Sequence, residues 1–380
     1  MKKPVSLYIH IPFCVRKCLY CDFLSFGSMD KYFEDYANVL CEEIKQNASD
    51  YSDRIVSTIF IGGGTPTILK PKEIGKIMDA VMSKYDVADN AEITIESNPG
   101  TMDRAKLNEL KQMYINRLSI GLQAWQDRLL KRLGRIHSCE DFRRNYIEAR
   151  EVGFKNINVD LMFSLPGQTV EDWKETLNNV IFLNPEHISA YSLIVEENTP
   201  FYDMRESGAI KETDEDTDRD MYYSARDILS GFGYNRYEIS NFAKEGFESR
   251  HNEVYWRTEE YRGFGLGSHS YTDGERYHNT TDFGEYITSK GEIKRLVKDI
   301  EILTEDEKQE EFMFMGLRMS EGVSEDIFKR RFSKSIYDVY GNEINELKSE
   351  GLLLSDKGRL FLSDRGIDVS NQVFEKFIKY

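Results

Sequence analysis

Three cysteines, Cys14, Cys18 and Cys21, stand in the spacing C-x3-C-x2-C directly after the apolar run Leu7–Phe13. A [4Fe–4S] cubane is normally held by four thiolates. Three thiolates this close along the chain can hold three of its irons. The fourth iron then takes its ligand from outside the protein, and an open position on iron is a place for chemistry. The competing reading is a structural zinc site with His10 as fourth ligand, because zinc accepts Cys3His sets. No second ligand pair follows at zinc-finger spacing.

Further residues point to a ligand beside such a cluster. Gly62-Gly63-Gly64-Thr65-Pro66-Thr67 follows the strand pattern Thr58–Ile61. Glycines let a backbone approach a ligand closely and expose its N–H groups. No P-loop lysine and no GxGxxG accompanies them, so nucleotide phosphates fit poorly. The loop is either a tight turn or a cradle for the cluster's extra ligand. Glu96, Gln123 and Asp160 place polar groups at or near the ends of otherwise apolar runs, and Arg135 lies beyond Gln123 after a short helical stretch. A buried carboxylate needs a partner, so structural ion pairs are the alternative for each.

The elements that must carry these residues alternate in type. Strand patterns cover Leu7–Phe13, Thr58–Ile61, Ile93–Ser97, Leu118–Leu122, Ile157–Phe163 and Ile188–Leu193. Helical patterns follow at Tyr32–Gln46, Lys72–Ser83, Arg104–Met113, Cys139–Val152, Val170–Leu183 and Asp218–Leu229. Thr169 suits the N-cap of the helix beginning at Val170, and Gly153 suits the C-cap of the helix ending at Val152. Six strand–helix units imply parallel strands with right-handed crossovers. They predict an α/β fold, a partial (β/α)6 barrel with its site at the strands' C-terminal ends. A doubly wound sheet is the rival. The division expected is a barrel over residues 1–235, a Gly- and Tyr-rich connecting region over 236–304, and a small winged-helix-like domain over 305–380. Helices and a hairpin around Asp356–Lys357–Gly358 mark the last of these.

The bulk composition narrows the function class. The 380 residues carry a formal charge of −16, which disfavours general nucleic-acid binding. No run approaches the roughly 18 apolar residues of a membrane span. The start of the chain has no signal-peptide pattern. Five cysteines are too few for a disulfide framework and predict a cytoplasmic location where thiols stay reduced. Cys41 and Cys139 have no motif around them and read as ordinary helix or core residues.

Taken together, these residues resemble the radical S-adenosylmethionine (radical SAM) family. The resemblance is to its branch containing oxygen-independent coproporphyrinogen III oxidase and the haem chaperone HemW. It spans nearly the whole chain from Tyr8. It implies a [4Fe–4S] cluster on Cys14, Cys18 and Cys21, with SAM chelating the unique iron. Gly63, Gly64 and Thr65 then resemble the cradle for the methionine end, and Tyr8, Tyr20, Glu96, Gln123, Arg135 and Asp160 the other SAM contacts. Two departures speak against porphyrinogen decarboxylation: Phe23 stands where the oxidase has a further cysteine, and the oxidase's long N-terminal extension does not precede Cys14 here.

His251-Asn252-Glu253-Val254-Tyr255-Trp256 is similar to the HNxxYW signature of the chaperone branch. Imidazole is a common haem-iron ligand, and aromatic rings supply flat apolar surface. The resemblance therefore implies haem binding at His251, Asn252, Tyr255 and Trp256. The plain alternative is a histidine packed in the core with two aromatics. The loop Gly263-Phe264-Gly265-Leu266-Gly267-Ser268-His269 reads as a lid over the SAM site or as a flexible turn, with His269 a second candidate ligand. The function expected is a haem chaperone that delivers haem to acceptor proteins. An unspecified electron donor and peripheral membrane association through the acceptors go with it. A radical oxidoreductase acting on a porphyrinogen is the alternative.

Overall fold

The computed structural model describes residues 2–379. Six strands lie side by side in chain order, every neighbouring pair parallel: β1 (Lys3–Ile11), β2 (Arg54–Gly63), β3 (Val87–Ser97), β4 (Arg117–Gln123), β5 (Ile157–Phe163) and β6 (His187–Ser192). The helices between and after them are α1 (Phe33–Asn47), α2 (Pro71–Lys84), α3 (Arg104–Gln112), α4 (Cys139–Val152), α5 (Val170–Leu183) and α6 (Glu215–Gly231). A doubly wound sheet reverses its strand order at a switch point. This order never reverses, which leaves the partial barrel.

Side-chain alternation explains the two faces. In β1, Leu7, Ile9 and Ile11 join one apolar cluster with Tyr36, Ala37 and Leu40 of α1. The intervening Ser6, Tyr8 and His10 are in register with Thr58, Phe60 and Gly62 of β2. Following the register across the sheet brings Glu96 beside Ser119, Gly121 beside Asp160, and Asp160 beside Ser189. The inward face is therefore polar while the outward face builds the core. Thr169 and Asp172 form a reciprocal capping box on α5. Gly153 closes α4 at φ 95°, a conformation that glycine adopts without strain.

Residues 236–304 do not stand apart as a connector. β7 (Asn235–Arg236) and β8 (Asn241–Ala243) extend the sheet antiparallel beyond β6. At the other edge β9 (Tyr261–Phe264) runs parallel to β1, followed by antiparallel β10 (His269–Thr272), β11 (Glu275–Asn279) and β12 (Val297–Ile302). Between the two groups lies α7 (Arg250–Trp256), capped by Ser249. The C-terminal unit opens with α8 (Glu305–Gly316), capped by Thr304 with Glu307. Helices Glu325–Phe332 and Ile336–Ser349 follow, with a three-stranded sheet of Val323–Ser324, Leu353–Asp356 and Arg359–Leu362. It has its own apolar cluster around Phe312, Phe328, Ile344 and Leu360. Its hairpin turns through Lys357 and Gly358, both at positive φ, the twist that a two-residue turn needs. Among the described residues no helix is long and apolar enough to cross a membrane.

Candidate cofactor site

The three cysteines lie on the loop leaving β1, and the loop is held from several sides. The Leu19 N–H donates to the Leu133 carbonyl at 3.0 Å, and the Phe201 N–H donates to the Leu19 carbonyl at 3.0 Å. Beside it, the Gly64 and Thr65 N–H groups donate to the carbonyls of Ile11 and Phe13 at 2.8 and 2.7 Å. A Cβ on Gly64 would stand 2.6 Å from the Phe13 oxygen, so only glycine lets these two segments meet. None of the five cysteines is paired in a disulfide. Burial raises the pKa of both the Cys14 and Cys21 thiols. Metal charge is what would draw their protons off.

A polar chain backs the thiols. The Thr65 hydroxyl reaches Cys14 Sγ at 3.6 Å, and Asn98 Nδ2 donates to Thr65 Oγ1 at 2.7 Å. Arg135 donates to Cys18 Sγ at 3.5 Å and to Asn98 Oδ1 and the Gly121 carbonyl, each at 2.6 Å. Burial alone would lower the Arg135 pKa, but Tyr20 and Cys18 beside it raise it overall. Its Nε has no partner. Arg135 is thus a fixed cation at the thiols with one donor to spare.

The three cysteines, Asn98 and Arg135 line a cavity of about 440 Å³ together with Tyr20, Gly63, Glu96, Gln123 and Asp160, with Thr65 just behind its wall. That volume falls in the range of small-molecule sites. Gln123 reaches it because β4 ends in an irregular register at Gly121/Gln123 and Gln123 takes φ 72°. Such a bulge re-aims a side chain. Glu96 Oε2 accepts the Gly63 N–H at 3.0 Å. Burial, and then the nearby Asp160, push the Glu96 pKa up to about 8. Asp160 accepts from Ser119 and Asn158, yet burial still raises its pKa. Two buried carboxyls and a fixed guanidinium lining one cavity suit a guest that carries charges of both signs.

His10 is not a fourth thiolate-site ligand. Its Nε2–H donates to the Leu24 carbonyl at 2.9 Å, and Nδ1 accepts from the Tyr8 hydroxyl at 3.0 Å. Both nitrogens are committed, so the Cys3His zinc reading loses its fourth donor. Three thiols lining one cavity are the donor type a cubane takes, although among the described residues they are not drawn together into a closed metal site.

A second cavity, about 470 Å³, shares Gly63, Glu96 and Phe23 with the first. Tyr8, His10, Leu24, Tyr255, Tyr261 and His269 are among its other lining residues. Tyr8 therefore faces this chamber, one wall away from the chamber expected for it. The HNxxYW stretch forms α7, and the structure differs here from the expectation of an open imidazole. His251 is 1% exposed. It stacks on Phe60 at 5.1 Å, and its ring nitrogens bond Thr58 Oγ1 at 2.7 Å and the Tyr255 hydroxyl at 2.9 Å. Because Thr58 gives its own proton to Ser6, Nδ1–H of His251 donates to Thr58 and Nε2 accepts from Tyr255. Burial lowers the His251 pKa to about 3. Its role in the geometry is to fix Tyr255. Trp256 points elsewhere, with the Arg318 guanidinium 4.6 Å above its ring. Asn252 sits in the first turn of the helix, where its N–H meets the Ser249 hydroxyl at 3.5 Å.

Residues 8–180 match the pattern described as the radical SAM superfamily, and residues 303–369 match the HemN C-terminal domain. The haem chaperone HemW of Bacillus subtilis (strain 168) is 37% identical over 374 residues, spanning 98% of this chain and 99% of its own length. That of Lactococcus lactis is 37% identical, spanning 100% of this chain and 98% of its own. That of Escherichia coli (strain K12) is 34% identical, spanning 95% and 96%. The chain belongs to the radical SAM family, in its HemW branch. The solved structure of coproporphyrinogen III oxidase (HemN) from Escherichia coli has the same fold. It superposes with a TM-score of 0.87 over 99% of this chain and 90% of its own, at 24% identity.

Within this radical SAM fold, several residues of the site carry little signal in the sequence. Asn98 joins Thr65 to Arg135, and its only signal was the turn Asn98-Pro99-Gly100 at the end of a strand. His10 was read only as a zinc ligand, although its place in the Ser6, Tyr8, His10 alternation puts it on the inward face. Tyr261 and Leu24 reach the second cavity from a strand and a loop far apart in sequence, and no local pattern joins them.

Proposed function

We propose that the protein binds a [4Fe–4S] cluster through Cys14, Cys18 and Cys21, together with SAM and haem, and that it passes haem to acceptor proteins in the cytoplasm. When bound, the cluster and SAM supply one-electron chemistry at a sulfonium. Gly63, Gly64 and Thr65 cradle the methionine end of SAM. Glu96, Asp160 and Arg135 hold its charges, and Tyr20 and Gln123 line the remainder. Tyr8 lines the second chamber and is held by His10, beside the shared Glu96. The thiols, unpaired in disulfides, suit a reducing compartment.

The observation that carries this reading is the shared wall. The cavity at the cysteines adjoins a second chamber across Gly63, Glu96 and Phe23. Tyrosines and imidazole line the second chamber, as suits a flat aromatic guest with a central metal. The full-length relatives named haem chaperones support haem as that guest. In α7, Tyr255 provides wall, His251 fixes it, and Asn252 and Trp256 hold the helix in place.

Anaerobic reconstitution should load about four irons per chain, as a cubane requires, with an electron paramagnetic resonance signal that SAM alters. Haem titration should then give a saturable absorption change, and added apo-acceptor should take that haem up. Zinc without iron would end the cluster reading. Catalytic decarboxylation of coproporphyrinogen III by the reduced protein with SAM would replace the chaperone reading with the oxidase.

A further inference from the structure

We propose that His269, rather than His251, supplies the imidazole that coordinates haem iron in the second cavity. The inference rests on the haem-binding reading above and names the ligand within it.

An axial ligand needs an unengaged nitrogen lone pair facing the chamber. His251 offers none: both its nitrogens are bonded, and Tyr255 occupies the accepting one. Binding iron there would break that bond and open a packed layer. His10 is committed in the same way to Tyr8 and Leu24. His278 bonds Asp299 at 3.0 Å and the Asn279 carbonyl at 2.8 Å. The His269 ring lines the cavity and is solvent-exposed. Among the described residues no hydrogen bond engages its ring nitrogens, so a lone pair is available to the chamber.

The backbone under His269 is rigid. β10 pairs His269 directly with His278, and their rings lie 5.2 Å apart. Gly263 lets β9 approach so closely that a Cβ there would overlap the His269 carbonyl. The loop before His269 is tied down: Gly265 N–H donates to Glu43 Oε2 at 3.0 Å, Leu266 N–H to the Tyr36 hydroxyl at 3.0 Å, and Ser268 Oγ to the Gly265 carbonyl at 2.8 Å. Tyr261 and the 65%-exposed Phe23 offer ring faces and edges for the porphyrin in the same chamber. A metal ligand placed by fixed elements is what a carrier needs to hold haem in one pose.

The test is titration of the full-length, cluster-loaded protein with ferric haem, followed by absorption and electron paramagnetic resonance. Wild type, His269→Ala, His251→Ala and His251→Gln are compared, with circular dichroism and iron content as controls for folding. His269→Ala should lose the imidazole-ligated spectrum and weaken haem binding by about tenfold or more, and free imidazole should restore the wild-type spectrum. His251→Gln, which keeps a hydrogen-bonding side chain, should keep that spectrum. An unchanged spectrum in His269→Ala would overturn the assignment and leave haem binding standing. So would loss of ligation in a folded His251 variant with His269→Ala unaffected. A wild type that binds no haem would remove both the reading and the ligand.

Discussion

A carboxyl that keeps its proton near neutrality leaves a measurable trace. Glu96 is buried against Asp160 and has its pKa raised to about 8. In the unfolded chain it ionises in the ordinary carboxylate range. Between that range and about pH 8 the folded state holds the extra proton, so stability without cofactors falls as pH rises, by at most about 1.4 kcal/mol per unit. Chemical denaturation of wild type and Glu96→Gln across this window should show the slope in the first and its loss in the second. At the thiols, Cys18→Ser should abolish iron loading while the far-ultraviolet circular dichroism stays near wild type, because Cys18 is not part of the barrel's apolar core. Residues of this kind differed in legibility. The cysteines were plain because their spacing is local. Arg135 was visible only as a charge beyond β4, and its bond to Cys18 depends on how two distant loops meet. At His251 the residue type suits a ligand, whereas its hydrogen bonds are set by Thr58 on another strand.

Among the elements, the strand preceding His269 and the loop between them depend on one buried ion pair. Glu43 of α1 lies 3.6 Å from Arg262 of β9, both nearly inaccessible. Glu43 also accepts from Gly265, Asn279 and Tyr286. The loop is therefore a fixed shelf, and neither the lid nor the flexible turn describes it. Removing one member of a buried pair leaves the other uncompensated. Glu43→Ala should lower the unfolding free energy by about 3–5 kcal/mol, read by urea denaturation. Amide exchange should become faster over residues 263–269. The helices were legible to within three residues, and to the residue at α4 and α5, because caps and apolar periodicity are written locally. β7 through β12 were not. They run only two to six residues, and what makes them strands is pairing at the sheet edges with partners far along the chain.

At the scale of the molecule, the barrel and the C-terminal unit meet through ion pairs such as Arg276–Glu311 and Arg257–Glu321 and through more specific contacts. Arg318 covers Trp256, Glu238 forms an isolated bridge with Met319, and Tyr223 donates to Asp368 at 2.7 Å. The cation–aromatic contact is worth about 0.5–2 kcal/mol. Trp256→Ala should leave cluster loading intact while making residues beyond 304 more susceptible to limited proteolysis. The six-unit barrel was legible because six parallel crossovers admit few topologies. The partition of its interior into two chambers was not, since it arises from Gly63. A Cβ at that glycine would stand 2.6 Å from the His10 ring, and Glu96 and Phe23 line both chambers beside it. A consequence follows for how the two guests sense each other. The same Glu96 proton faces both rooms, and either occupant that drives it off changes the cost of admitting the second. Thermodynamic reciprocity then requires that whatever factor SAM imposes on the affinity for haem, haem imposes on the affinity for SAM.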